Sequence, residues 1–328
     1  MKRLLIVILS VFILLVMVNL ENKIQTAEKY PVKPITFIIS IGPGSDMEIM
    51  MRPWLQKASD ILGKPIVIVH KPGAGHTIGY REIYAAKPDG YTIGAMLGSM
   101  LSVKMQGLLP YDYHDYTIIN FTTAMYPIIV ASKKTKRPFK TIEEVFAFAK
   151  SNPGEVTIAT TPVGQTWWVA TMYFQEKTGF KFNIIPQEEG AGMAVTQVAG
   201  GHADIGIFGL TAAKAQIDAG NLRLLASISP HRPREPYNNA PTLKEVGYDI
   251  IFRGAAGFIG PPKMPKDIVD KLASTFEIAL NDPEIKKHII SCDQIPMFMR
   301  SDEAIKYLDA EIEIMRKIMA KAGLLKEK

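Results

Sequence analysis

Residues Pro34 to Arg52 read P-I-T-F-I-I-S-I-G-P-G-S-D-M-E-I-M-M-R. Ile35 to Ile41 is β-branched, apolar and almost free of charge, the composition of a strand buried on both faces. Gly42, Pro43, Gly44 and Ser45 break that run. Glycine permits tight-loop backbone angles, and Ser45 or Asp46 suits a helix N-cap. From Met47 onward Ile49, Met50, Trp54, Leu55, Ile61 and Leu62 recur at helical spacing. A strand, a glycine loop and a helix start leave unpaired backbone N–H groups aimed at one spot, and the helix dipole there favours an anion. An ordinary strand-to-helix turn with nothing bound has the same sequence.

The pattern repeats outward from this unit. Pro65 to Val69 predicts a strand, His70 to His76 a loop and Ile78 to Ala86 a helix, with a third strand at Tyr91 to Leu97. Residues 111–127 read as a connection. Pro127 to Ser132 predicts a strand, and Thr141-Ile-Glu-Glu144 a capping box. Further strands are expected at Val156–Ala159, Phe182–Ile185, Ala203–Phe208 and Leu222–Ile228. The helices between them are expected at Trp167–Lys177, Met193–Ala199 and Thr211–Ala219. Ser229 to Tyr237, with three prolines, reads as a surface linker. A strand near Gly257–Ile259, a helix from Pro265 and a last helix from Asp302 to Ala322, capped by Ser301, complete the chain. Alternating strands and helices argue for α/β architecture with parallel, doubly wound sheets.

The 328 residues are 47% hydrophobic and 21% charged, enough for two packed domains. The net charge of +6 is modest and sits partly at the chain ends, in Lys2, Arg3, Lys321, Lys326 and Lys328. With no basic stripe and no zinc-finger spacing, nucleic acid is not an expected partner. Lys2-Arg3 followed by an apolar run from Leu4 to Val18 predicts a secretory signal, since about 15 residues fall short of the ~20 a spanning helix needs. The cleavage site near Gln25-Thr26-Ala27 is poor, so a retained N-terminal anchor stays open. Either places the folded part outside the cytoplasm, in the periplasm or on the outer face of the membrane. Cys292 is the only cysteine, which excludes an intrachain disulfide and predicts a buried small apolar residue.

No catalytic constellation is legible. Gly98-Ser99 lacks the flanks of a nucleophile elbow, and no phosphate-cradling P-loop occurs. Gly73-Ala-Gly75-His-Thr-Ile-Gly79 has the wrong spacing for a dinucleotide fingerprint. His70 and His76 flank one loop without a supporting carboxylate, so no metal and no cofactor are expected. Glycine-bearing loops at Gly42–Asp46, Pro72–His76, Thr160–Thr166 and Glu188–Gly192 sit where strands hand over to helices. Ligands in open α/β sheets bind there, and two such sets facing each other make a clamshell.

Several longer segments carry a resemblance. They are Tyr30-Pro-Val-Lys-Pro-Ile35, Lys71-Pro-Gly-Ala-Gly75, Lys87-Pro-Asp-Gly-Tyr-Thr92, Leu109-Pro-Tyr-Asp112 and Gly200-Gly-His-Ala-Asp204. Ala219-Gly-Asn-Leu-Arg-Leu-Leu-Ala226, Ala240-Pro-Thr-Leu-Lys-Glu-Val-Gly247 and Met264-Pro-Lys-Asp-Ile-Val-Asp-Lys-Leu272 follow in order. Over residues 30–322 the chain resembles the extracytoplasmic receptors of tripartite tricarboxylate transporters, the Bug family. The resemblance implies a type II periplasmic-binding-protein fold whose two α/β domains close on a ligand. It implies a leader at 1–27, a first domain from 28–126 and 236–328, and a second from 127–235. It further implies a monomeric, non-enzymatic receptor that delivers a small carboxylate to membrane subunits of an importer. The ligand loops carried over are Gly42, Pro43, Gly44, Ser45 and Asp46, then Gly73, Ala74, Gly75 and His76. In the second domain they are Thr161, Gly164, Gln165, Thr166 and Trp167, then Gly190 and Ala191, with Phe208 and Gly209 at the pocket floor. An exported hydrolase using the same cleft, and a ligand-sensing module for a signalling partner, are the alternatives.

The chain departs from the family wording at Gly44-Ser45-Asp46-Met47-Glu48, Thr166-Trp167-Trp168, Gln187-Glu188-Glu189-Gly190 and Phe208. Acids at Asp46, Glu188 and Glu189 disfavour a small dianion by like-charge repulsion, and two tryptophans suit a larger apolar body. The expected ligand carries one carboxylate, or added cationic or aromatic character.

Overall fold

A computed structural model of the chain describes residues 30–43, 45–188 and 190–326. The leader or anchor expected at 1–27 lies outside the described residues. Among the described residues no helix is long and apolar enough to cross a membrane.

The chain opens with β1 (Ile35–Ile39), α1 (Asp46–Leu62), β2 (Ile66–His70), α2 (Thr77–Ala85), β3 (Thr92–Met96) and the single turn α3 (Met100–Val103). It continues through β4 (Thr117–Met125), β5 (Pro127–Ser132), α4 (Ile142–Ser151), β6 (Thr157–Thr160), α5 (Thr166–Thr178), β7 (Asn183–Pro186) and α6 (Ala191–Gly200). It then forms β8 (Ile205–Gly209), α7 (Leu210–Asp218), β9 (Leu222–Ser227), β10 (Gly254–Gly260), α8 (Lys266–Leu280), α9 (Pro283–Ser291), β11 (Ile295–Arg300) and α10 (Ser301–Lys321). One six-stranded sheet has the order β11-β4-β10-β3-β1-β2, and one five-stranded sheet the order β7-β6-β8-β5-β9.

The two α/β sheets are as expected, but they are mixed rather than all parallel, which corrects the expectation of parallel strands. β1 pairs parallel with β2 and β3, and β6 with β7 and β8, but β10 runs antiparallel to both β3 and β4. β5 likewise runs antiparallel to β8 and β9. β11 runs antiparallel to β4 at the sheet edge, and the other exceptions lie where the chain changes sheets. β4 passes into β5 with only Tyr126 between them, and β9 returns to the first sheet at β10.

β4 is also the largest omission from the sequence reading, which made it a connection. Asn120, Thr122 and Thr123 interrupt its apolar run, yet all three are buried. Its backbone is paired on both edges, and the Thr122 hydroxyl donates to Ala256 O at 3.0 Å. β11 and α9 were not anticipated either; Asp282 caps α9 by accepting from Glu284 N at 2.9 Å. Ser301 does not cap α10: its hydroxyl donates to the carbonyl of Ile118, at 2.5 Å. At α4 the Thr141 hydroxyl accepts from Glu144 N, while Glu144 accepts from the N–H of Lys140 rather than of Thr141. The stretch after β9 stays on the second sheet further than a linker would. Leu243 N donates to Ser227 O, and the Tyr248 ring packs 4.6 Å from Phe146.

One core covers one face of the first sheet, and another runs from its opposite face into the second sheet. In the former, Trp54 of α1 lies 4.9 Å from Phe258 of β10, which lies 4.6 Å from Phe276 of α8. The indole N–H of Trp54 donates to Phe276 O at 3.1 Å, tying α1 to α8 beneath the sheet. Cys292 is buried among these apolar residues, as its isolation implied. Truncating Trp54 to Ala both opens a large cavity and removes a buried hydrogen bond. It is expected to cost about 3–5 kcal/mol, read as a lower urea midpoint with little change in slope.

Candidate functional site

A cavity of about 900 Å³ opens between the two sheets, at the strand-to-helix handovers. Its wall contains the first residues or caps of five helices: Ser45 and Met47 of α1, His76 of α2, and Thr166 and Trp167 of α5. Gly190, Ala191 and Gly192 bring in α6, and Thr211 and Ala212 bring in α7. Only α1 has a side-chain cap at its N-cap position, where Ser45 Oγ accepts from Glu48 N at 3.3 Å. The N-cap residues of α2, α5, α6 and α7 are His76, Gln165, Gly190 and Gly209, none of which makes a capping bond, and no acid occupies their first turns. Two of the first-turn amides are taken: Trp168 N of α5 donates to Thr161 Oγ1 at 3.1 Å, and Thr77 N of α2 donates to Ala74 O. The remaining first-turn N–H groups face a wall whose only charged residue, among the described side chains, is Glu188. Orphan amides and aligned dipoles therefore set the potential, each helix end contributing about 0.3–1 kcal/mol toward an anion.

Behind the first loop the carboxylate of Glu48 is buried. It pairs with Arg52 and lies 3.4 Å from His70 Nε2, while His70 Nδ1 bonds Ile41 O at 2.9 Å. Glu48 thus faces the interior behind the loop and is absent from the cavity wall. Ser40, at the carboxyl end of β1, is in that wall. It is only 1% exposed, its Oγ packs against Gly79 of α2, and it meets no hydrogen-bond partner among the described residues.

His76 is the side chain that joins the two lobes. Gln165 Nε2 can only donate, so at 3.2 Å it donates to His76 Nε2. The imidazole proton is then on Nδ1 and donates to Ser99 Oγ at 2.7 Å; Ser99 Oγ in turn lies 2.9 Å from Tyr80 Oη. Burial pushes the His76 pKa down to about 4. This Ser–His contact corrects the expectation that no nucleophile and base meet. It points the wrong way for catalysis, because the imidazole gives its proton to the serine and no carboxylate orients it.

Most of the expected site residues line the cavity. Gly42, Pro43 and Ser45 do so from the first loop, with Gly73, Ala74, Gly75 and His76 from the second. Thr161, Gln165, Thr166, Trp167, Gly190 and Ala191 do so from the second sheet. Gly44 and Glu189 lie outside the described residues, and Asp46 is the first residue of α1. Gly164 belongs instead to an adjoining recess. Phe208 and Gly209 are not at the floor. Phe208 is 0% exposed and packs in the core against Gly206, and Gly209 lies behind the Trp167 ring. Trp168, 5% exposed, also packs in the core, so one indole rather than two meets the cavity. The sequence reading missed Ser40, Leu97, Gly98, Met125, Thr211 and Gly254. Ile49, 51% exposed, lies at the cavity instead of in the core. Among the described residues no three His, Cys, Asp or Glu side chains gather as a metal site.

Contacts between the lobes surround this space. Ser102 Oγ donates to Gly164 O at 2.7 Å, and Thr211 Oγ1 donates to Cys292 O. A Cβ on Gly98 would sit 2.5 Å from Thr166 Oγ1, so the lobes touch there through a missing side chain. Gly98→Ala is expected to prop the lobes apart and weaken ligand affinity about tenfold, with a larger radius of gyration by small-angle scattering at saturating ligand. His76 gives a pH dependence of known sign. Its folded pKa lies below the unfolded ~6.5, so the stabilisation is whole above pH ~6.5 and is lost as pH falls toward about 4. The slope is at most ~1.4 kcal/mol per pH unit. Thermal unfolding between pH 7.5 and 4.5 should show it, and His76→Asn, which suits the φ of 77° at that position, should flatten it.

The family model described as tripartite tricarboxylate transporter family receptor matches residues 50–324. Protein BugT of Bordetella pertussis is 27% identical over 305 residues, covering 91% of this chain and 92% of its own. A solved structure described as a periplasmic transporter superposes with a TM-score of 0.80 at 27% identity, over 90% of this chain and 99% of that one. An R. palustris protein solved with adipate superposes with a TM-score of 0.82 at 21% identity, over 90% and 99% of the two chains. The fold is that of a periplasmic binding protein, and the chain belongs to the tripartite tricarboxylate transporter receptor family.

Proposed function

We propose that this receptor captures a small carboxylate outside the cytoplasm and hands it to the membrane subunits of an importer, without chemical change. The observation that carries this reading is the set of four helix N-termini whose N-cap residues make no capping bond and whose first turns carry no acid, converging on a cavity with no lysine or arginine in its wall among the described residues. Free amides and helix dipoles select a carboxylate without needing an arginine. Ser40, buried and unpartnered at the end of β1, adds a hydroxyl for the ligand or a bridging water. The adipate held by the R. palustris protein of the same fold is of this chemical class. The first lobe comprises 28–126 and a returning segment. The second runs from 127 past 235 to about 252, because Leu243 and Tyr248 pack on its sheet. The two crossings between sheets serve as the hinge, export is by the segment 1–27, and the receptor acts as a monomer. Ligand favours the closed state by its extra contacts there.

A hydrolase reading has one observation in its favour, the 2.7 Å contact between Ser99 and His76. Against it, the imidazole donates in that contact, and its low pKa makes it a weak base. Thermal unfolding of the folded part against a panel of mono-, di- and tricarboxylates separates the readings. A carboxylate at 100 times its Kd should add about 2.7 kcal/mol and be recovered intact. Turnover of the bound compound, lost in Ser99→Ala, would establish the hydrolase instead. Ser40→Ala should leave the unliganded protein as stable or more so, while weakening the carboxylate about five- to tenfold.

A further inference from the structure

The polarity of α1 is inverted where it meets the cavity. Glu48, in its first turn, is 5% exposed, with its carboxylate paired to Arg52 behind the loop. The next residue, Ile49, is 51% exposed and lines the cavity. A buried acid beside an exposed isoleucine reverses the usual placement of both residue types. The backbone is held there, since the Ile49 carbonyl accepts from His288 Nε2 at 3.0 Å. The flanking apolar residues of α1, Met47, Met50 and Met51, are all buried, at 6% or less. Ile49 is therefore the side chain that this helix turns toward the ligand space instead of its own core.

Other parts of the wall continue this surface. Met47, Pro72, Leu97 and Met125 line it, with Trp167 from the second lobe. Several of its polar side chains already serve the protein. His76 uses both ring nitrogens, on Gln165 and Ser99, Ser45 Oγ accepts from Glu48 N, and the Thr211 hydroxyl donates to Cys292 O. The lobes are joined around this space by Gln165 on His76, Ser102 on Gly164 and Thr211 on Cys292. About 900 Å³ nevertheless remains, in the upper part of the ~300–1,000 Å³ range of small-molecule sites. At ~30 Å³ per water molecule it has room for about 30 of them. A four-carbon acid would leave most of that space, and the apolar wall around it, to water.

We infer that the ligand's carboxylate is carried on a bulky apolar body, as in a medium-chain or aryl-substituted acid, and that Ile49 is a specificity-determining residue. The carboxylate takes the free first-turn amides, and the apolar body covers Ile49 and its neighbours in the wall. This rests on the receptor reading above and narrows it, turning the site away from small hydroxy acids and short dicarboxylates. Each methylene moved from water onto such a wall tightens binding about fourfold.

Unbranched alkanoates from four to ten carbons, their ω-phenyl counterparts, and succinate, malate and adipate test this, titrated calorimetrically into wild type, Ile49→Ser and Ile49→Leu. The expected result is an affinity that rises with each added carbon, and an eight-carbon or aryl acid bound at least tenfold tighter than any of the three dicarboxylates. The heat-capacity change should grow more negative along the series. Ile49→Ser should weaken the eight-carbon acid at least fivefold and butyrate less than twofold, and Ile49→Leu should keep the wild-type rank order. Both variants should unfold near the wild-type temperature, because the side chain they alter is exposed. A dicarboxylate bound as tightly as the eight-carbon and aryl acids overturns the inference while leaving the receptor reading in place. So does a chain-length dependence that Ile49→Ser leaves unchanged. Failure of every carboxylate to bind folded protein overturns both.

Discussion

A backbone N–H in the first turn of a helix has no partner inside that helix, and proteins usually supply one from a side chain. Here the supply depends on position. α4 and α9, away from the cavity, are capped by Thr141 and Asp282. α8 and α10 lack a capping bond but carry Asp267, or Asp302 and Glu303, in their first turns. At the cavity α1 is capped by Ser45 and α5 takes one bond from Thr161, but the N-cap residues of α2, α5, α6 and α7 make no capping bond and their first turns carry no acid. A cap costs nothing in fold to add, typically contributing ~1 kcal/mol. Its absence at four helices around one space leaves each of them less stable alone and leaves their donors for a ligand. The binding site is in this sense made of omitted side chains.

Those helices converge because of how the chain crosses. β4 and β5 form one extended run broken at Tyr126, so the carboxyl end of a strand in one sheet lies next to the start of a strand in the other. The crossing strands run antiparallel to their neighbours, while the strands that feed α1, α2, α5, α6 and α7 stay parallel or adjacent and point their carboxyl ends inward. Closure is then limited by small residues. Gly98 against Thr166, and Gly254 against Thr166 and Trp167, are places where any Cβ would meet the other lobe within 3.2 Å. Trp167 is the one large side chain admitted there, 6% exposed and packed against Gly209 and Gly254 from the two lobes.

Much of this was legible in the sequence, and the failures have physical causes. Strand-to-helix units with glycine loops announce themselves by local chemistry, so the loops at 42–45, 73–76, 161–167 and 190–191 were found where they are. β4 was missed because Asn120, Thr122 and Thr123 are polar. Their burial is settled by β10 and β11, which come from the far end of the chain. Phe208 was placed at the floor from its place in sequence, but a strand alternates faces, and its ring packs over Gly206 in the core. Trp167 and Trp168 are indistinguishable in one dimension; the helical turn sends one to the cleft and the other to the core. Ser40 is silent in sequence, since an unpaired buried hydroxyl is visible only once every neighbour is placed.

The proton on His76 decides what the cleft can do. Because Gln165 donates to Nε2, the imidazole must donate from Nδ1, and Ser99 receives a proton where a nucleophile would have to lose one. Burial reinforces this by holding the ring neutral down to about pH 4. A neutral His76 also means that the wall gains no positive charge at physiological pH. Attraction for an anion then comes from backbone dipoles, fixed in place, and from neutral side chains in the wall such as Thr166 and Thr211.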